Sequence, residues 1–451
     1  MAALNPFRSS RAPWYEVLGW AMFDFANSSY TTVVITAVYS SFFVQYIVPS
    51  DWQMRDSLWA LGIMVSTAIA LVLAPLAGAI CDYSGRKKQY LMYASVMCAV
   101  GTMLLGLASP GQVWLALSML VVSNTAFMLS ETLCASFLTD VADEDSMGRI
   151  SGIGWGVGYF GGLASVILAT MVIIRANADS ETAAYIFQNR LAMIATGAFF
   201  LLSALPTFLL VKSRTPARPG WENASLPRLM AAGWNEVSQA AGTARQNPAL
   251  FQFLFAFMVY MAGLDAVIKF VGIYAREEVH LQAAEFVKLF LVLQLSAAAG
   301  AVGFGLLESR IGPRTTVLAS LCLWIVGTLG IYFLVEIATA LGVDPKSVFF
   351  YLALIAGAAI GSTQSSSRTV VGLLAPADQA AQMFGFWSMF SRLGSILGAS
   401  FGFVSDAMGR RSALLLVLGF FIAGALLLLR IPIDAAVRQR RNDASARAQA
   451  G

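Results

Sequence analysis

The chain alternates long apolar blocks with short polar breaks. "SALLLVLGFFIAGALLLL", Ser412 to Leu429, carries no charge, and about 20 apolar residues suffice to take a helix across a bilayer. Charged, Pro and Gly breaks divide the sequence into twelve such blocks, predicted over 16–47, 57–80, 90–108, 112–137, 150–174, 189–211, 249–276, 284–306, 315–341, 347–371, 381–404 and 412–430. The longest polar interruption, Val211 to Pro248, follows the sixth block. It predicts two six-helix halves, 1–211 and 249–451, joined by a linker over 212–248, with a basic tail closing the second half. Leu226 to Ala244 in the linker reads either as a helix on the membrane surface or as a flexible connector. A transmembrane β-barrel would show short alternating segments instead.

Composition agrees with the pattern. The 451 residues are 58% hydrophobic and 12% charged, against about 25% charged in soluble domains, which excludes a water-soluble surface. The short polar N-terminus lacks a small-residue cleavage signal, so the first helix is expected to serve for targeting. Placing the N-terminus in the cytoplasm puts eighteen of the 29 lysines and arginines on the inner side, as basic loops require. Both termini are then cytoplasmic, and a bacterial inner membrane is the expected location.

Cys81, Cys98, Cys134 and Cys322 show no paired spacing and read as small packing residues. The single histidine, His280, leaves no His-rich metal site or proton relay. There is no G-x-x-x-x-G-K-[ST] phosphate loop and no nucleophile–base pair. The sequence therefore implies no enzyme, no cofactor, no metal and no nucleic-acid partner. The expected partners are a small-molecule solute, protons and the lipid bilayer, with the chain acting as a monomer.

The halves carry traces of a repeat. "DSMGRISGIGWGVGYFGG" from Asp145 aligns without gaps on "DQAAQMFGFWSMFSRLGS" from Asp378, matching Gly152 with Gly385 and Gly161 with Gly394. "GAICDYSGRKK", Gly78 to Lys88, pairs with "GLLESRIGPR", Gly305 to Arg314. The second copy keeps both glycines but has Ser309 at the aspartate position, with Glu308 beside it. Duplicated halves are a common transporter plan, with the solute site between them near mid-membrane.

The G-x-x-x-D-x-x-G-R-K pattern resembles the signature of the major facilitator superfamily. That resemblance implies an all-α membrane protein with twelve transmembrane helices in two pseudo-symmetric six-helix bundles. It assigns a cytoplasmic gate to Gly78, Asp82, Gly85 and Arg86, the aspartate capping or salt-bridging a neighbouring helix. Three longer stretches narrow the match: "GWAMFDFANSSYTTVVITAVY", "GRISGIGWGVGYFGG" and "GSTQSSSRTVVGLLAPADQAAQMFGFWSMFSRLGSILG". They are similar to the autophagy-related vacuolar effluxers and their bacterial relatives, a family whose best-studied members are linked to amino-acid export. A lookalike motif, "GFVSDAMGRR" from Gly402 to Arg411, falls on the outer side and reads as an ordinary turn.

Charged residues inside the spans are the candidates for chemistry, because each costs about 2.5–3.5 kcal/mol at a helix centre. Asp24, Asn27, Ser28 and Thr31 share one helical face, which lines either a water-filled cavity or a helix contact. Asp265 and Lys269 stand at i, i+4 and either neutralise each other or switch partners during transport. Glu131 reads as cavity-lining or interfacial. Arg368 is expected to snorkel to the cytoplasm. Arg392 lies too deep for that and needs an acidic, carbonyl or solute-carboxylate partner. Asp24 and Arg392, from opposite halves, are expected to face one cavity and to hold the two charges of an amino acid. The glycine-rich "GIGWGVGYFGG" is read as close helix packing. The sequence thus points to a secondary transporter of a small polar solute working by alternating access, with proton coupling through Asp24 or Glu131. Two other readings stay open: a transporter of lipid-like amphiphiles, and a receptor or assembly factor on a transporter fold.

Overall fold

The computed structural model describes residues 11–52, 54–178 and 180–450; Arg8, counted above among the inner-side cations, lies outside them. Ten of the described helices are long and apolar enough to cross a membrane: Trp14–Ile47, Arg55–Ser84, Val113–Val141, Met147–Ile173, Thr182–Leu210, Pro248–Lys269, Glu285–Ile311, Pro313–Tyr332, Pro345–Leu374 and Arg410–Leu429. Lys87–Leu105 and Ala380–Gly398 pack among them as the third and eleventh spans. Both are more polar, the third through Lys87 and Lys88 and the eleventh through Gln382, Ser388 and Arg392. Twelve spans, numbered here in chain order, form two six-helix bundles. Large apolar side chains such as Leu202, Leu209 and Phe403 point outward, the surface that hydrocarbon requires.

Several spans break regularity, span five through a wide turn at Leu168–Ile173. The first passes through wide turns at Tyr30–Ala37 and Phe43–Ile47. Its "TTVVIT" run is β-branched at every position, which crowds a regular α-helix. The eleventh ends at Gly398 and resumes as Ser400–Met408.

The linker and both described chain ends meet at one end of the molecule, the linker end. Here Arg11 donates to Thr139 O and Asp434 lies against Gly312. The linker carries helices at Leu226–Ser238 and Ala240–Gln246. The first is amphipathic: Leu229 and Gly233 sit on Leu76 and Ile80 of span two, while Met230 and Trp234 face outward.

The two sequence repeats become two equivalent contacts between the halves. A Cβ on Gly385 of span eleven would stand 2.6 Å from Ala74 O of span two, and one on Gly152 of span five 2.4 Å from Ala301 O of span eight. Gly78 abuts Ala381 O, and Gly305 abuts Gly148 O. Each position of one contact aligns with its counterpart in the other. The fifth helix of each half therefore packs backbone to backbone on the second helix of the other, from the linker end toward the membrane middle.

Candidate functional site

Asp24 enters the space between the bundles from span one because the neighbouring helix has no side chain there. A Cβ on Gly154 would stand 2.6 Å from Asp24 Oδ2 and 2.8 Å from Arg368 Nη2. The glycines of span five divide by face: Gly154, Gly158 and Gly161 meet span one, and Gly148, Gly152 and Gly156 meet span eight.

Arg368 of span ten reaches across from the second half. Its Nη1 lies 2.8 Å from Asp24 Oδ2, its Nε donates to Ser151 Oγ at 3.0 Å and its Nη2 donates to Ser151 O at 2.8 Å. The guanidinium lies 4.6 Å from the Trp20 ring centre and 5.4 Å from that of Trp155. The Arg368 side chain is 3% exposed. It does not snorkel, contrary to the sequence expectation, because a carboxylate, a serine and two rings satisfy it in place. It stands six residues from the end of span ten, roughly 9 Å inside at 1.5 Å per residue.

A second pair joins the halves on spans four and eleven. Arg392 Nη2 lies 2.8 Å from Glu131 Oε2, with side-chain exposures of 19% and 28%. Asp24 and Arg392 are therefore not partners of each other: each has a nearer opposite charge. Trp20 Nε1 donates to the Cys134 carbonyl at 2.9 Å. In both pairs the acid comes from the first half and the base from the second.

Polar bridges continue along spans five, eight and ten. Tyr159 Oη donates to Gln364 Oε1 at 2.5 Å, Ser151 Oγ donates to Ser365 O at 2.9 Å, and Gln294 Nε2 donates to Tyr159 O at 3.4 Å. Asn27 is buried, its Oδ1 without a hydrogen-bond partner. Asp265 and Lys269 close on each other at 2.6 Å, and Lys269 also donates to Ser395 Oγ. They form a pair within one half and take no part in joining the two.

At the linker end Asp82 accepts from the backbone N–H of Ala381 at 3.1 Å and of Gln382 at 2.8 Å. A carboxylate at a helix N-terminus meets free donors and the positive end of the helix dipole. Gly85 ends span two at φ +66°, where a side chain is strained. Arg86 donates to Glu222 O in the linker at 2.9 Å. Arg410 and Arg411 of the lookalike motif pair at the other end with Glu278 and Glu336. Local acid partners explain two arginines on the side where basic residues are scarce.

Sequence reading missed Trp20, Ser151, Trp155 and Tyr159 at the site. All four lie inside stretches that carried the family resemblance, but aromatic and small residues in apolar helices give no signal of what they touch.

This arrangement is that of a major facilitator superfamily transporter. The structure of the transporter FucP in the outward conformation matches with a TM-score of 0.68, covering 92% of this chain and 97% of its own at 16% identity. The family described as "Vacuole effluxer Atg22 like" matches residues 44–441, and the chain belongs to it. The uncharacterized MFS-type transporter YxiO of Bacillus subtilis is 27% identical, covering 94% of this chain and 97% of that protein. Autophagy-related protein 22-1 of Neosartorya fischeri is 24% identical, covering 62% of this chain but only 48% of its own length. The protein is an integral membrane transporter rather than an enzyme.

Proposed function

We propose that the protein is a secondary transporter that moves a small polar organic solute, an amino acid first among the candidates, by rocking its halves about the space between them. The observation that carries this is the pair of ion pairs joining the bundles, acids from one half and bases from the other. An amino acid offers an ammonium to Asp24 or Glu131 and a carboxylate to Arg392. Glu131 and Arg392 are the more exposed pair and the better docking point; Arg368, buried and held by Asp24 and Ser151, suits a strut. The name of the family, a vacuole effluxer, favours export. With the linker end in the cytoplasm of a bacterial inner membrane, as basic-loop placement favours, this conformation is shut toward the cytoplasm.

The amphiphile reading asks for a large apolar cavity. An apolar cavity lies in the second half among Val271, Tyr274, Trp324 and Phe401. A thermal-stability screen of the purified protein against the L-amino acids, dipeptides and lysolipids tests the proposal. Stabilisation by an amino acid, lost in Arg392→Lys, is expected. Stabilisation by lysolipid alone would favour the amphiphile, and no response to any solute would favour a receptor.

A further inference from the structure

Asp82 has a counterpart in the second half, one position out of register. Gly78 aligns with Gly305, and the aspartate position with Ser309; its neighbour Glu308 takes the role in space. Asp82 lies at the start of span eleven, against Ala381 and Gln382. Glu308 lies at the start of span five, against Gly148, the residue that aligns with Ala381. A Cβ on Gly148 would stand 2.6 Å from the Glu308 carboxyl carbon.

The two acids differ in what satisfies them. Asp82 receives two backbone hydrogen bonds. Glu308 is 5% exposed, and its Oε2 is buried without a partner. No described residue forms an ion pair with it. The charged groups on the elements around it are Asp145 in the turn before span five, Arg149 on span five, Arg310 on its own span, Arg314 on span nine, Arg368 on span ten and Asp434 in the tail. Arg314 donates to Leu429 O, and Arg368 is held by Asp24 and Ser151. An ionised carboxylate buried without a partner costs several kcal/mol, and such a group takes up a proton instead.

We propose that Glu308 is a proton-binding site of the gate at the linker end: it is protonated while spans five and eight are closed there, and ionised when they part and water reaches it. This rests on the alternating-access reading. By linkage, a proton bound only in the closed state favours that state. Acid pH then holds the linker end shut, and alkaline pH releases it. Asp24 and Glu131, the acids that sequence alone offered for proton coupling, already hold arginines in this conformation.

The test is a spin-label distance across the linker end, between Glu144→Cys and Ala377→Cys, in the full-length protein with its native cysteines replaced. Both positions are exposed and lie on opposite halves. In the parent the long-distance population is expected to grow from acid to alkaline pH. In Glu308→Gln, which mimics the protonated side chain, and in Glu308→Met, which guards against a folding defect in either variant, that growth is expected to vanish. Asp82→Asn is expected to open the gate and keep the pH response. A pH response in both Glu308 variants equal to the parent's, or none in the parent, overturns the proton site. The transporter reading falls separately, only if the protein also exchanges no solute.

Discussion

Gly154 shows how much of the site rests on an absent side chain. Asp24 and Arg368 occupy the volume that a methyl group there would claim, so Gly154→Ala is expected to separate them. Breaking a buried pair by removing one partner costs about 3–5 kcal/mol, whereas removing both together costs far less. Asp24→Ala is therefore expected to lower the thermal midpoint more than Asp24→Ala combined with Arg368→Met. Equal losses in the single and the double variant would show that the two side chains do not act as a pair. The sequence placed Asp24 on a polar helical face and required a partner for Arg392, both of which hold. It misdirected Arg368 because snorkelling and burial start from the same position near a helix end, and only the facing helix distinguishes them. Glu308 went unweighed because its register is one residue from the motif it replaces.

Among the elements, the linker departs furthest from a simple tether. Its first stretch is fastened to the first bundle: Arg214 pairs with Glu16 at 2.9 Å, Thr215 donates to Asp140 at 3.1 Å, and Arg218 stacks 4.1 Å from the Tyr83 ring centre. Tyr83 Oη donates to Glu236 Oε2 of the linker helix at 2.6 Å. The strap leaves the residues after Ser238 as the connection across which the halves can move. Lys87, fully buried, joins span three to this strap through Asp140 at 3.0 Å. Lys87→Met leaves Asp140 buried without its cation and is expected to destabilise the first bundle by about 3–5 kcal/mol, read as a fall in thermal midpoint. An unchanged midpoint would mean that water reaches Asp140. The twelve membrane blocks were legible, since a bilayer forces apolar stretches of fixed length; the linker helix was only one of two readings, and the breaks after Tyr332 and Gly398 were not legible. The strap was not, because its partners are single polar residues distant in sequence.

For the whole molecule, the repeat is the most informative sequence feature. The two alignments, read in the sequence only as a duplication, fall in the structure on the helices that cross-pack between the halves. Asp82→Asn exchanges a carboxyl that accepts two backbone N–H bonds for an amide with one oxygen at one of these contacts. Losing one of these bonds leaves a buried donor unsatisfied, so the open population at the linker end is expected to rise roughly tenfold or more. Unchanged label distances would remove Asp82 from the gate. What the repeat does not encode is the asymmetry of the two ion pairs, with acids from the first half and arginines from the second.

The central claim is that this paired-charge space between the halves is where solute binds. Exchange of radiolabelled L-amino acids by the purified protein in liposomes tests it most directly, with the parent set beside Glu131→Gln and Arg392→Lys. Exchange of at least one amino acid by the parent, cut about tenfold or more by either change, is the expected result. Parent-level exchange in both variants, or none by the parent for any amino acid, would contradict it.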